Sequence, residues 1–217
     1  MKKKLLWGTA VLLVALLALF GRDLLGFYHL VTYIDSTTQA YEADGPWPQT
    51  ADACYGCHGQ RGSSQHQGYP SLAGQPADYL KAQLHGFANG TRHFPNMQPL
   101  AMSLSDAEID KLTNYYARQT PVDNHTFQPD PGLRQQGEKL VQAGACAACY
   151  GEKLMGQGAF PRLAGQGADY LLVQLDAFAQ GSRVDPTGSM KAVTQALSAQ
   201  DRKALAHYLA ALAATPK

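Results

Sequence analysis

The sequence has no cysteine to spare. All four cysteines fall in two Cys-x-x-Cys pairs, Cys54/Cys57 and Cys146/Cys149, so none is left for a long-range disulfide. No stretch alternates apolar and polar residues convincingly, which excludes a sheet-based architecture and leaves an all-α chain. A basic stripe is missing too. The formal net charge is +1, but Lys2, Lys3, Lys4 and Arg22 belong to the N-terminal segment; from residue 24 onward 14 basic residues face 16 acidic ones. Nucleic-acid binding therefore has no electrostatic footprint. With 45% hydrophobic residues, the chain has enough apolar material for a core, and wholesale disorder is excluded.

The longest apolar run stands at the N-terminus. Leu5 to Gly21 carries no charge and follows three lysines, the pattern of a helix that enters a membrane with its N-terminus in the cytoplasm. At the helical rise it spans about 26 Å, the short limit for crossing a bilayer. Phe27, Tyr28 and Tyr33 then suit the headgroup zone. A cleaved signal peptide is the competing reading, but its best small-residue site, Thr38-Gln39-Ala40, comes about twenty residues too late. Residues 1–34 are thus expected to form a membrane anchor or uncleaved signal, and 35–49 a polar tether broken by Gly45-Pro46-Trp47-Pro48.

Cys54-Tyr55-Gly56-Cys57-His58 is the attachment signature of a c-type haem: two thiols take up the vinyl groups as thioethers and the adjacent imidazole reaches the iron. Zinc would require the two Cys pairs to converge, and a redox dithiol would leave His58 without a purpose. An altered copy follows at Cys146-Ala147-Ala148-Cys149-Tyr150, where tyrosine replaces histidine.

The rest of the chain is a duplication. Tyr69-Pro70-Ser71-Leu72-Ala73-Gly74-Gln75 returns as Phe160-Pro161-Arg162-Leu163-Ala164-Gly165-Gln166. Tyr79, Gln83, Phe87 and Arg92 then pair in register with Tyr170, Gln174, Phe178 and Arg183. Two units result, 50–121 and 133–217, joined by a linker at 122–132. Each is small for a domain and needs a supplement to its core, which a buried haem provides. Helices are expected over Ala77 to Ala88, Ala168 to Ala179 and Gly132 to Ala143, with capping-box starts at Ser105 and Ser198.

Two methionines compete to be the distal ligand of the first unit. Met97 lies seven residues before Leu104, as Met190 lies seven before Leu197, so the repeat selects Met97 and leaves Met102 as a core or pocket-wall residue. Pro70 offers a carbonyl to the second nitrogen of His58, with a plain turn proline as the alternative.

From about residue 50 to its end the chain resembles the dihaem cytochrome c4 family, on the two Cys-x-x-Cys sites, the twin Pro-x-Leu-Ala-Gly-Gln blocks, the Tyr-Leu-x-x-Gln-Leu helices, and Met97 and Met190. The resemblance implies two tandem class I cytochrome c domains working in the periplasm. The N-terminal anchor, expected to hold them at the bacterial inner membrane, departs from the family, many of whose members are processed to soluble or peripherally bound forms. The resemblance implies haem c bound through Cys54, Cys57, His58 and Met97. A second haem would use Cys146, Cys149 and Met190, with Tyr150 where the family has histidine. It further implies electron transfer from a quinol–cytochrome c oxidoreductase towards a haem–copper terminal oxidase. Tyr150 leaves three readings open: a haem with phenolate, water or nothing on the proximal side; no haem; or a recent substitution in an otherwise intact site. The competing functions are a haem enzyme, peroxidase-like or oxidising sulfur compounds at an atypical second haem, and a non-catalytic subunit of an oxidase complex.

Overall fold

Side chains set the starts of three of the described helices. Ser105 accepts from the Glu108 N–H while Glu108 returns a bond to the Ser105 N–H, and Ser198 and Asp201 repeat the arrangement. Asp130 caps a third start, where Pro131 occupies the first turn. The computed structural model describes residues 2–43, 49–144, 146–185 and 187–214. It divides into two compact units, Met1–Gln49 and Thr50–Lys217.

The first unit is one helix, α1 (Lys2–Ala43). It runs nine residues into the segment expected to be a tether. No glycine or proline interrupts Asp35 to Ala43, and Ser36 and Thr37 bond back to the Tyr33 carbonyl inside the helix. Gly45 to Pro48, the expected break, lies outside the described residues. Trp7, Val14, Leu17, Leu19 and Phe20 are exposed along α1. Among the described residues no helix is long and apolar enough to cross a membrane. The side chains of Leu5, Leu6, Ala10, Leu12, Leu13 and Ala15, a third of the apolar run, lie outside the described residues.

The second unit is helical, with one isolated bridge, Gln157 to Phe160, as the extended pairing among its described residues. Its first half holds a 3₁₀ turn, Thr50–Cys54, then α2 (Tyr55–His58), α3 (Ala77–Ala88), α4 (Met97–Met102) and α5 (Asp106–Arg118). The second half holds α6 (Pro131–Ala143), α7 (Ala147–Tyr150), α8 (Ala168–Gln180), α9 (Ser189–Gln195) and α10 (Ala199–Ala210). Each half has its own core. Tyr79, Leu80, Leu112, Tyr115 and Tyr116 close over Ala51 in one; Leu154, Leu171, Leu209 and three alanines form the other. In the second half α10 packs on α6 and α8. The α6–α10 crossing is backbone-close: a Cβ on Gly137 would stand 2.2 Å from the Ala204 carbonyl oxygen. The first half has the 3₁₀ turn where the second half has α6.

The repeated blocks face each other. Gln166 Nε2 donates to the Ser71 carbonyl at 2.7 Å and its Oε1 accepts the Ser71 N–H at 2.8 Å. Gln75 does the same to Arg162, at 3.0 and 2.9 Å. These four bonds are buried and related by a pseudo-twofold. Arg162 is 1% exposed; its guanidinium donates to the carbonyls of Ala164 and Ala73, and among the described residues its Nε has no partner. The linker is pinned as well, with Asn124 bonded to Gln67 and Gln166, and Asp123 accepting the Ala214 N–H.

Replacing Gln166 with alanine leaves a buried N–H and a buried carbonyl unpaired, at ~1–3 kcal/mol each. Chemical denaturation is expected to show a loss of roughly 2–4 kcal/mol. A change indistinguishable from that of a surface Gln→Ala variant would contradict the clamp.

Candidate haem centres and the interface beside them

The first centre is built on a single helical turn. Cys54 precedes α2, Cys57 lies on it and His58 ends it, so the two thiols and the imidazole leave the backbone within one turn. Cys57 is exposed and Cys54 half-buried, and burial pushes the Cys54 thiol up. His58 is 7% exposed, with its Nδ1 2.8 Å from the Pro70 carbonyl. A carbonyl only accepts, so Nδ1 carries the proton and Nε2 keeps its lone pair. Burial lowers the His58 pKa against the smaller opposing effect of the Pro70 bond, which favours the neutral, ligating imidazole. The carbonyl reading of Pro70 therefore holds over the plain turn. Tyr69 meets the imidazole edge-on, with ring centres 6.5 Å apart.

Met97 opens α4 and is half-buried. Met102 closes the same helix and is 65% exposed, so it is not a core residue. The six-residue helix turns Ala101 inward instead. With a free nitrogen ligand, two thiols on one turn and a thioether downstream, the first centre fits haem c.

The second centre differs. Cys146 and Cys149 are half-buried around α7, as a thioether pair requires. Tyr150, however, donates from its hydroxyl to Met190 Sδ at 2.9 Å. Its ring meets Phe160 edge-on at 5.7 Å, and its phenol pKa is raised, chiefly by burial, so the proton this bond needs is retained. Two candidate axial ligands in direct hydrogen-bond contact leave no space for an iron between them. As arranged, these residues do not fit a haem. Zinc fares no better: among the described residues no group of three or more His, Cys, Asp or Glu side chains could hold a metal ion.

Between the halves lies a cluster whose role sequence reasoning missed. Arg92 donates to Gln83 at 2.8 Å, and to Tyr170 and Gln174 at 3.1 Å. Arg183 mirrors it, donating to Gln174, Tyr79 and Gln83 at 2.6, 3.2 and 3.1 Å. Each guanidinium also lies over a phenyl ring of its own half, 4.5 Å above Phe87 and 4.6 Å above Phe178. The signal was present in the exact register of these polar pairs on two apolar helices. Burial raises both phenols, but for Tyr170 the charges of Arg92 and then Arg183 outweigh it and bring the pKa down to about 8, while Tyr79 stays raised.

A family model described as cytochrome c matches residues 48–118 and again 135–213. The chain is similar to a thiosulfate dehydrogenase electron acceptor of Thiomonas intermedia, 36% identical over 179 residues that cover 78% of this chain and 82% of that one. It is equally similar to cytochrome c4 of Thiocapsa roseopersicina, 36% identical over 194 residues, covering 81% and 99%. Among solved structures, reduced recombinant cytochrome c4 from Pseudomonas stutzeri superposes with a TM-score of 0.70 at 32% identity, over 75% of this chain and 94% of that one.

Because an unfolded tyrosine titrates near ~10, the first proton of the Tyr79/Tyr170 pair leaves earlier in the folded state than in the unfolded one. Phenolate absorbance is expected near pH 8, and the group stabilises the fold increasingly as pH rises from about 8 towards ~10. Arg183→Gln should move that step upwards; an unmoved step would refute the assignment.

Proposed function

The chain belongs to the cytochrome c family, in the two-domain form shared with cytochrome c4, and we propose that it takes electrons from a sulfur-compound dehydrogenase and passes them on through the haem of its first domain. It carries covalently bound haem c and is an electron carrier rather than an enzyme, as its relatives are. Bound haem c supplies a one-electron iron couple. Cys54 and Cys57 would hold it by thioethers, and His58 would ligate through Nε2. The carrying observation is the 2.8 Å bond from His58 to Pro70, which fixes the ring and its tautomer for that task. Met97 would hold it through its thioether, which would raise the potential.

The donor reading departs from the quinol–cytochrome c oxidoreductase suggested by the c4 resemblance alone. What supports it is the name of a relative, an electron acceptor of thiosulfate dehydrogenase, alongside c4-named relatives of equal identity. A haem–copper oxidase remains the proposed acceptor. The domain plan is kept: cytochrome domains at 50–121 and 133–217, a linker at 122–132, and an N-terminal anchor. The anchor reading draws on Lys2 to Lys4, the uncharged run from Leu5 to Gly21 and the exposed apolar side chains of α1. It places the chain in the bacterial inner membrane with both domains in the periplasm.

Three measurements test this. The oxidised full-length protein should be reduced by thiosulfate in the presence of a thiosulfate dehydrogenase, followed by its haem absorbance; reduction only by a quinol-oxidising complex would overturn the donor. Met97→Leu should keep the haem attached but abolish the methionine-to-ferric-iron charge-transfer band and lower the potential, whereas Met102→Leu leaves both in place. After cell fractionation the chain should stay in the membrane pellet at high salt and come out with detergent. A soluble product lacking its N-terminus would refute the anchor.

A further inference from the structure

The second centre keeps everything except the residue that matters most. Cys146 and Cys149 stand as Cys54 and Cys57 do, Met190 holds the register of Met97, and Pro161 matches Pro70. The disagreement lies between Tyr150 and Met190. Metal bonds to oxygen or nitrogen and to sulfur run about 2.0 and 2.3 Å, so two axial ligands stand ~4 Å apart. The Tyr150 oxygen and Met190 sulfur are 2.9 Å apart.

Both partners are held in place. The Tyr150 carbonyl accepts the Gly156 N–H at 2.9 Å, and the ring is braced against Phe160. On the other side Asp185 Oδ2 accepts the Met190 N–H at 3.0 Å, and the Thr194 hydroxyl donates to the Met190 carbonyl at 2.7 Å. The tyrosine is long enough to cross the space an iron would occupy, and it ends on the sulfur.

What this half retains is its grip on the other. Gln166 and Gln174 hold Ser71 and Arg92, and the Gly167 backbone lies against Gln67 so closely that a Cβ there would stand 2.3 Å from the Gln67 carbonyl oxygen. We infer that the Tyr150–Met190 hydrogen bond closes the second domain against haem, so that the chain carries one haem c and its second domain serves as a clamp on the first. The inference rests on the reading of the first domain as the haem carrier.

The test is the haem content of the full-length chain, produced with a c-type maturation system and purified in detergent, by intact mass and pyridine haemochrome. One haem per chain is expected. Two would overturn this inference alone; none would overturn the carrier reading and the inference with it. Tyr150→His should raise the content to two, with the methionine charge-transfer band doubled per chain. A folded Tyr150→His protein that still holds one haem would refute Tyr150 as the closing residue. Tyr150→Phe, which removes only the hydrogen bond, should lower the unfolding midpoint; an unmoved midpoint would overturn the closure.

Discussion

Neither half of this molecule is large enough to bury a generous core, and that constraint shapes everything else. The first half makes the shortage plain. A 3₁₀ turn replaces the helix that α6 provides in the second half, and three buried tyrosines around Ala51 stand in for aliphatic packing. Such a unit gains from what it leans on. Here that is its own repeat, gripped through buried amide–backbone bonds whose loss would strand polar groups away from water.

Sequence reading recovered most of the architecture because duplication multiplies weak signals. One Pro-x-Leu-Ala-Gly-Gln block is an unremarkable turn, whereas two in register mark equivalent places in equivalent folds. Capping residues Ser105 and Ser198 marked helix starts because their bonds are local. The His58–Pro70 bond was legible as one of two options, since proline offers only an acceptor. What stayed hidden involved partners distant along the chain. Nothing local in the sequence marks the bonds that Gln75 and Gln166 make to the backbone of the other half. Met102 read as buried because nothing local says which way a six-residue helix turns. The continuation of the helix from Asp35 to Ala43 was hidden by the polar character of that stretch, where the Ser36 and Thr37 hydroxyls fold back onto helical carbonyls.

The two centres show how little separates a binding site from a closed one. Both present paired cysteines on a short turn and a methionine further on. A histidine with a carbonyl behind it leaves a lone pair pointing forward, while a tyrosine offers a proton at the end of a longer lever and spends it on sulfur. The surrounding fold need not change for the chemistry to be lost.

Arg162 gives the duplication a direction. Its counterpart is Ser71, small and undemanding, while the arginine side chain sits fully buried and donates to carbonyls of both halves, one from Ala164 and one from Ala73. Two copies of the second half brought together in the same way would bury two guanidinium groups face to face without a counter-ion, and two copies of the first would have none to fill the gap. The seam therefore tolerates only unlike halves. A gene duplication that began as a symmetric pair has become a packing of unlike halves, each shaped for the other.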